Sequence, residues 1–140
     1  MRYIIREEVT KETADKLVLQ YDERGLPIKP TDEGKTAAGE IVVYLRPLRG
    51  KDDRRISDLM VEMNRKSRAV SMRTGRVAQE KCVRSVVVME GITLPDGTPV
   101  EKMDHAVYDR LDSWITEAIL RRINELNGIG EDEEGESGGR

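Results

Sequence analysis

Glu40-Ile41-Val42-Val43-Tyr44-Leu45-Arg46-Pro47-Leu48-Arg49-Gly50-Lys51-Asp52-Asp53 divides the chain into two kinds of secondary structure. Its first half is β-branched, aromatic and apolar after Glu40. It predicts a strand, closed by Pro47, which has no N–H to give to a sheet ladder. Its second half points to a helix, because Asp52 and Asp53 can each accept backbone N–H bonds at a helix start. Beyond them Ile56, Leu59, Met60, Met63 and Val70 recur at the 3.6-residue period, with Asp58, Glu62, Arg65 and Lys66 largely off that face. The spacing predicts a helix from about Asp53 to about Val70, broken by Thr74-Gly75.

Upstream, Tyr3-Ile4-Ile5 and Leu17-Val18-Leu19-Gln20-Tyr21 are candidate strands, with a turn at Asp22-Glu23-Arg24-Gly25. A second reading makes Thr10 a helix cap, with Thr13 to Leu19 helical; the strand reading is preferred. Thr31 to Gly39 reads as a loop. Downstream, the apolar residues of Arg76 to Met89 share no single helical face, and Val86-Val87-Val88 suits a buried helix or a strand. The stop at Gly91 and the run Gln79-Glu80-Lys81 favour a helix there.

After the turn Leu94-Pro95-Asp96-Gly97-Thr98-Pro99, one helix is expected from Asp104 to Asn127. Asp104 is its N-cap, and Val107, Leu111, Trp114, Ile115, Ala118 and Ile119 form its apolar stripe. Acids sit early in it and Arg121 and Arg122 late, as the helix dipole prefers. Arg122 falls near the middle of the stripe. Either its stem lies along the core with its head in water, or it meets a polar partner; the first is favoured. Gly128 is a natural residue to follow the helix. The polar tail from Gly128 to Arg140 can bury nothing and is expected to be disordered.

The 140 residues suit one domain, and a chain 37% hydrophobic with no Phe and one Trp must build a modest core from Ile, Leu, Val and Met. The fold expected is α+β, mostly α. Residues 1–50 form an extended or β region with short strands or a hairpin. About three helices follow in 51–127 of the same domain, and 128–140 is the acidic tail. No apolar run approaches the roughly 20 residues of a membrane span, and the N-terminus becomes charged too early for a signal peptide. The single cysteine, Cys82, precludes an intrachain disulfide and fits a reducing cytosol.

The net charge of −3 conceals segregation. Residues 46–85 carry 12 basic against 5 acidic side chains, whereas residues 86–127 carry 4 against 8 and the tail carries 1 against 5. Arg65, Lys66, Arg68, Arg73, Arg76, Lys81 and Arg84 can therefore be read as phosphate contacts. No aromatic interleaves with them to stack bases, and no helix-turn-helix or zinc pattern surrounds them. A solvated face, or a docking surface for acidic segments, is the preferred reading.

Catalysis and cofactors find little support. His105 stands alone, with no second His or Cys pair to complete a metal site. Cys82 has only His105 as a conceivable base, so a buried small hydrophobe is the better reading. Gly34-Lys35-Thr36 lacks the preceding glycine of a phosphate loop, since Lys29 stands at that position. Neither an enzyme, nor a metal, nor a cofactor is expected. Met60, Met63, Met72, Met89 and Met103 are adaptable side chains suited to core filling first and to varied apolar partners second.

The order of Ile41-Val42-Val43-Tyr44-Leu45-Arg46-Pro47-Leu48-Arg49-Gly50-Lys51-Asp52, then Ser85-Val86-Val87-Val88-Met89-Glu90-Gly91-Ile92, then the Pro-Asp-Gly turn and the closing helix ending in Ile123-Asn124-Glu125-Leu126-Asn127 resembles the tail assembly chaperones of long-tailed bacteriophages. The likeness covers roughly residues 41–127 and leaves the first forty unmatched. It implies a non-catalytic protein of the host cytoplasm that coats the phage tape measure protein, assists assembly of the tail tube protein around it and is absent from the finished virion. Many such chaperones are also made as a longer, frameshifted form.

Self-association fits the segregated charge, and no membrane is expected as partner. The residues named as packing or partner surfaces are Ile56, Leu59, Met60 and Met63 on the first helix, and Leu111, Trp114, Ile115, Ile119 and Arg122 on the last; core packing is favoured for the apolar ones. The alternatives are a nucleic-acid-binding regulator using residues 46–85 and a structural head–tail component of the virion.

Overall fold

A computed structural model describes residues 2–5, 7–29, 32, 34, 36–65 and 70–128, without the side chains of residues 59–74. The elements are β1 (Asp15–Tyr21), β2 (Gly39–Leu45), α1 (Gly50–Arg65), α2 (Val70–Ser85), β3 (Val86–Glu90), α3 (His105–Arg110) and α4 (Ser113–Leu126). The three strands form one antiparallel sheet in the order β1-β2-β3. This is the expected α+β arrangement.

β2 is central because its alternation suits a strand with one face in the core. Ile41, Val43 and Leu45 point inward and are buried. They meet Cys82 of α2, Met89 of β3, Met103 of the following loop, and Ile115, Ile119 and Ile123 of α4. Full burial of each such aliphatic side chain contributes about 1.5–3 kcal/mol. Leu17, Leu19 and Tyr21 of β1 pack against the margin of this cluster. No helix among the described residues is long and apolar enough to cross a membrane.

Several elements differ from the sequence expectations. Tyr3-Ile4-Ile5 belongs to no strand and pairs with none of the described strands. Thr10 and Thr13 close a turn, with the Thr13 N–H on the Thr10 carbonyl, and β1 follows at Asp15. Of the two readings of this stretch, the strand is the one found. Thr31, Glu33 and Lys35 of the expected loop lie outside the described residues, as do residues 66–69 of the first expected helix, and Val70, its expected end, is the first residue of α2.

α2 runs through Thr74-Gly75 rather than stopping there. A glycine inside a helix costs only about 1 kcal/mol relative to alanine; further along the helix Cys82 is buried in the core, and Gln79, Glu80 and Ser85 hydrogen-bond to neighbouring elements. The helix favoured for Arg76 to Met89 holds to Ser85 and fails beyond it, since residues 86–90 pair with β2. A register shift between Tyr44 and Leu45 accommodates the change from helix to strand.

The closing helix is two helices. Leu111 and Asp112 are extended, with ψ of 145° and 143°, and separate α3 from α4. Asp104 caps α3 as expected, accepting the Val107 N–H at 2.8 Å. Gly128 follows α4 with a φ of +76°. The tail beyond it lies outside the described residues.

The Pro-Asp-Gly turn closes a tight hairpin. Leu94 donates to the Thr98 carbonyl, Gly97 to the Leu94 carbonyl, and the Thr98 N–H to the Asp96 side chain. The returning chain places the Glu101 carbonyl on the Met89 N–H, so the hairpin covers part of the outer edge of β3. Gly91, which leads into it, has φ +87°, and a Cβ there would lie 2.3 Å from the Glu40 carbonyl oxygen; Gly97 has φ +90° but open space around it. Gly97→Ala should therefore cost about 1 kcal/mol for its left-handed backbone alone. Gly91→Ala should cost roughly 2 kcal/mol more for the forced backbone shift. Urea denaturation of the two variants measures the difference, and equal losses would contradict it.

Candidate functional site: a buried charge network and a one-sided sheet

Charged residues from three helices and one loop converge near the end of β2. Asp52, in the first turn of α1, has no exposed surface. Its Oδ2 accepts the Arg49 N–H at 2.8 Å and Arg46 Nη1 at 2.9 Å, and its Oδ1 accepts Arg46 Nη2 at 3.2 Å and Arg84 Nη1 at 3.5 Å. The aspartate thus reaches back to the residue before the helix, the return half of a capping box. Arg84 also donates from Nε to Glu80 Oε1 at 2.9 Å, an i,i+4 pair on α2. Glu80 Oε2 lies 3.3 Å from His105 Nε2 at the start of α3. Beside it, Gln79 Nε2 donates to Asp109 Oδ1 at 3.0 Å. Ser85 donates its hydroxyl to the Arg46 carbonyl and accepts the Arg46 N–H on its own carbonyl, closing the circuit between β2 and the α2–β3 junction.

The electrostatics follow from this packing. Burial alone would raise the Asp52 carboxyl. The Arg46 hydrogen bonds, the Arg49 amide and the Arg84 contact together bring it below the ordinary aspartate range. Glu80 behaves in the same way: burial raises it, and bonds to Arg84 and His105 lower it further than burial lifts it. Burial pushes the Cys82 thiol up to about 12, further than the neighbouring Lys81 charge draws it down. It is an inert core residue rather than a nucleophile. Among the described residues, no group of three or more His, Cys, Asp or Glu is placed to hold a metal ion.

The residues singled out from sequence as packing or partner surfaces fall in different places. Ile56 is buried at 7% exposure, and the side chains of Leu59, Met60 and Met63 lie outside the description. Ile115 and Ile119 are core residues, the latter fully buried, so neither offers surface to a partner in this fold. Leu111 and Trp114 pack at the edge of that core, and the indole N–H donates to the Gly25 carbonyl at 3.1 Å. Arg122 is held by the chain itself. Its Nε and Nη2 each lie 2.7 Å from the Asp15 carboxylate of β1, and Nη1 lies 2.9 Å from Glu125. These bonds lower the Asp15 pKa and raise that of Arg122.

The basic segment is similarly committed in part, because Arg46 and Arg84 face Asp52 and Glu80. Lys51, Arg54 and Arg76 are exposed. Lys66 and Arg68, and the side chains of Arg65 and Arg73, lie outside the description. Met89 and Met103 are core residues, whereas the side chains of Met60, Met63 and Met72 are not described.

The surface that sequence reasoning missed is the outer face of the sheet. Registers of Val18 with Val42 and of Tyr44 with Val88 place these four side chains on the face opposite the buried Val43 and Met89. Val18 is 44% exposed, and Val42, Tyr44 and Val88 are half-buried. Lys16, Gln20, Glu40 and Glu90 frame the stripe on the same face. Lys11 lies 5.4 Å from the Tyr44 ring centroid and pairs with Glu90. The signal was present in the alternation of β1 and β2, but only the pairing of β3 with β2 shows that the apolar stripe crosses all three strands.

No family model matches the chain, and no curated protein or solved structure matches it.

The network makes a prediction about acid stability. Because the folded-state values of Asp52 and Glu80 are lowered, the stability they add is fully present above the ordinary carboxylate range. It is lost as pH falls through the folded values, below about pH 4. Asp52→Asn, which leaves two half-buried guanidiniums short of a counter-charge, should lower stability at neutral pH by about 3 kcal/mol. It should also flatten the acid limb in melts recorded from pH 7 to pH 3; an unchanged limb would remove Asp52 from that role.

Proposed function

We propose that the protein is a non-catalytic tail assembly chaperone of a long-tailed bacteriophage. In this reading it acts in the host cytoplasm, covers an apolar helical face of the tape measure protein and assists tail tube assembly. The resemblance over residues 41–127 supports it, because its landmarks are junctions of one folded body. Ile41–Leu45 is the inner part of β2, Asp52 anchors α1, Val86–Glu90 is β3, and the Pro-Asp-Gly turn closes the hairpin before α3.

The observation that carries the reading is the outer face of the sheet. A sheet with helices on one side only leaves its second face to solvent or to a partner. Here that face holds a stripe of Val18, Val42, Tyr44 and Val88 with charged margins. An apolar stripe with a polar rim suits the apolar side of an amphipathic helix. A nucleic-acid-binding regulator is less well supported, since Arg46 and Arg84 spend their charge on Asp52 and Glu80.

Co-expression with the tape measure protein encoded beside it tests the proposal. The wild-type chain should hold that protein in a soluble complex. Val18→Glu, at an exposed site, should weaken recovery roughly tenfold, the effect of about 1.4 kcal/mol, with an unchanged circular dichroism spectrum. An insoluble client and no complex with the wild-type chain would sink the proposal. Presence of the protein in purified particles would favour a structural virion component instead.

A further inference from the structure

Tyr3-Ile4-Ile5 combines strong strand formers with no strand to join. The three side chains are 83%, 83% and 84% exposed, which makes them the most exposed large hydrophobics among the described residues. Residues 2–5 make no backbone hydrogen bond among the described residues. The segment is tethered just beyond, where Arg49 Nη2 donates to the Glu7 carbonyl at 2.8 Å. Tyr3 and Ile5 line a shallow groove with Val9, Pro47 and Leu48, yet stay almost wholly in water. The body's own sheet does not take the segment up. The chain itself occupies part of each outer edge: Ile28 donates to the Gln20 carbonyl beside β1, and Met89 to the Glu101 carbonyl beside β3.

We infer that residues 2–5, 7 and 8 pair in antiparallel fashion with the same residues of a second copy of this chain, related by a two-fold axis at Ile5. The argument for this partner is charge complementarity. The segment reads Arg2-Tyr3-Ile4-Ile5-Arg6-Glu7-Glu8, with a basic Arg2 at its start and two acids, Glu7 and Glu8, at its end. Antiparallel self-pairing about a two-fold axis perpendicular to the ribbon sets residues of equal parity opposite each other.

With Ile5 opposite Ile5, Arg2 faces Glu8 twice, and Tyr3 lies diagonal to the partner's Ile5 on the shared face. With Ile4 opposite Ile4, Arg2 and Glu8 would no longer face each other. Like charges directly opposite destabilise a strand pair and opposite charges stabilise it, so electrostatics selects the first register. Arg2 and Glu8 are exposed, and neither has an ion-pair partner among the described residues. A ribbon of this length buries far less than the roughly 1,200 Å² of a standard stable interface. The association is therefore weak and dependent on concentration. It does not rest on the identity of the client proposed above.

Sedimentation velocity of the full chain over a concentration series up to about 1 mM, the affinity of weak complexes, tests the inference through a charge exchange. The wild-type chain should associate. Arg2→Glu alone and Glu8→Arg alone should each associate roughly tenfold more weakly, because each places like charges opposite one another twice. An equimolar mixture of the two variants should regain wild-type association, as should the double variant. None of these side chains belongs to the core, so circular dichroism should not change. A wild-type chain that stays monomeric throughout would overturn the inference. So would single variants that associate as the wild type does, since the contact would then lie elsewhere, at the β1 edge or the outer sheet face.

Discussion

A carboxylate with no access to water holds the architecture together. Asp52 binds the exit of β2 through Arg46, the start of α1 through the Arg49 amide and the end of α2 through Arg84. Moving such a charge out of water costs several kcal/mol, and that cost is offset only when the geometry is good and several donors converge. Once they do, the angle at which α1 leaves the sheet is no longer free. With 37% hydrophobic residues and no Phe, the chain has little apolar material with which to set that angle by packing alone. The Arg46–Ser85 exchange then fixes where α2 gives way to β3, and so where β3 meets β2.

The readable elements were those whose signal is local. β2 announced itself by its β-branched alternation, and the N-terminal part of the closing region by the Asp104 cap. The elements misread depend on partners distant in sequence. Val86-Val87-Val88 becomes a strand because β2, some forty residues earlier, offers it a ladder. Tyr3-Ile4-Ile5 has the composition of a strand and lacks that partner. The break at Leu111-Asp112 did leave a trace, since Asp112 and Ser113 are residue types that favour helix starts. A continuous apolar stripe across the break concealed it.

The candidate site was legible only in pieces. Helical periodicity identified the residues of α4 that face the core, and Ile115 and Ile119 are spent there. The apolar face of α4 points inward, and among the described residues the sheet leaves its outer face uncovered by a helix. The Arg122 head stays at the surface, 37% exposed, and pairs there with Asp15 of the first strand. No inspection of α4 alone can find that contact, which spans more than a hundred residues of sequence. The same holds for Arg46, Asp52, Glu80, Arg84 and His105, whose convergence depends on the helix packing that it stabilises.

The placement of Cys82 gives the molecule a built-in clock. The chain's one thiol is fully enclosed between β2, α2 and α4, and burial holds it in the protonated form at neutral pH. An alkylating reagent or an oxidant reaches it only in the moments when those layers part. The rate at which the sulfur is consumed therefore counts openings of the core, separately from any fraying of the N-terminal segment.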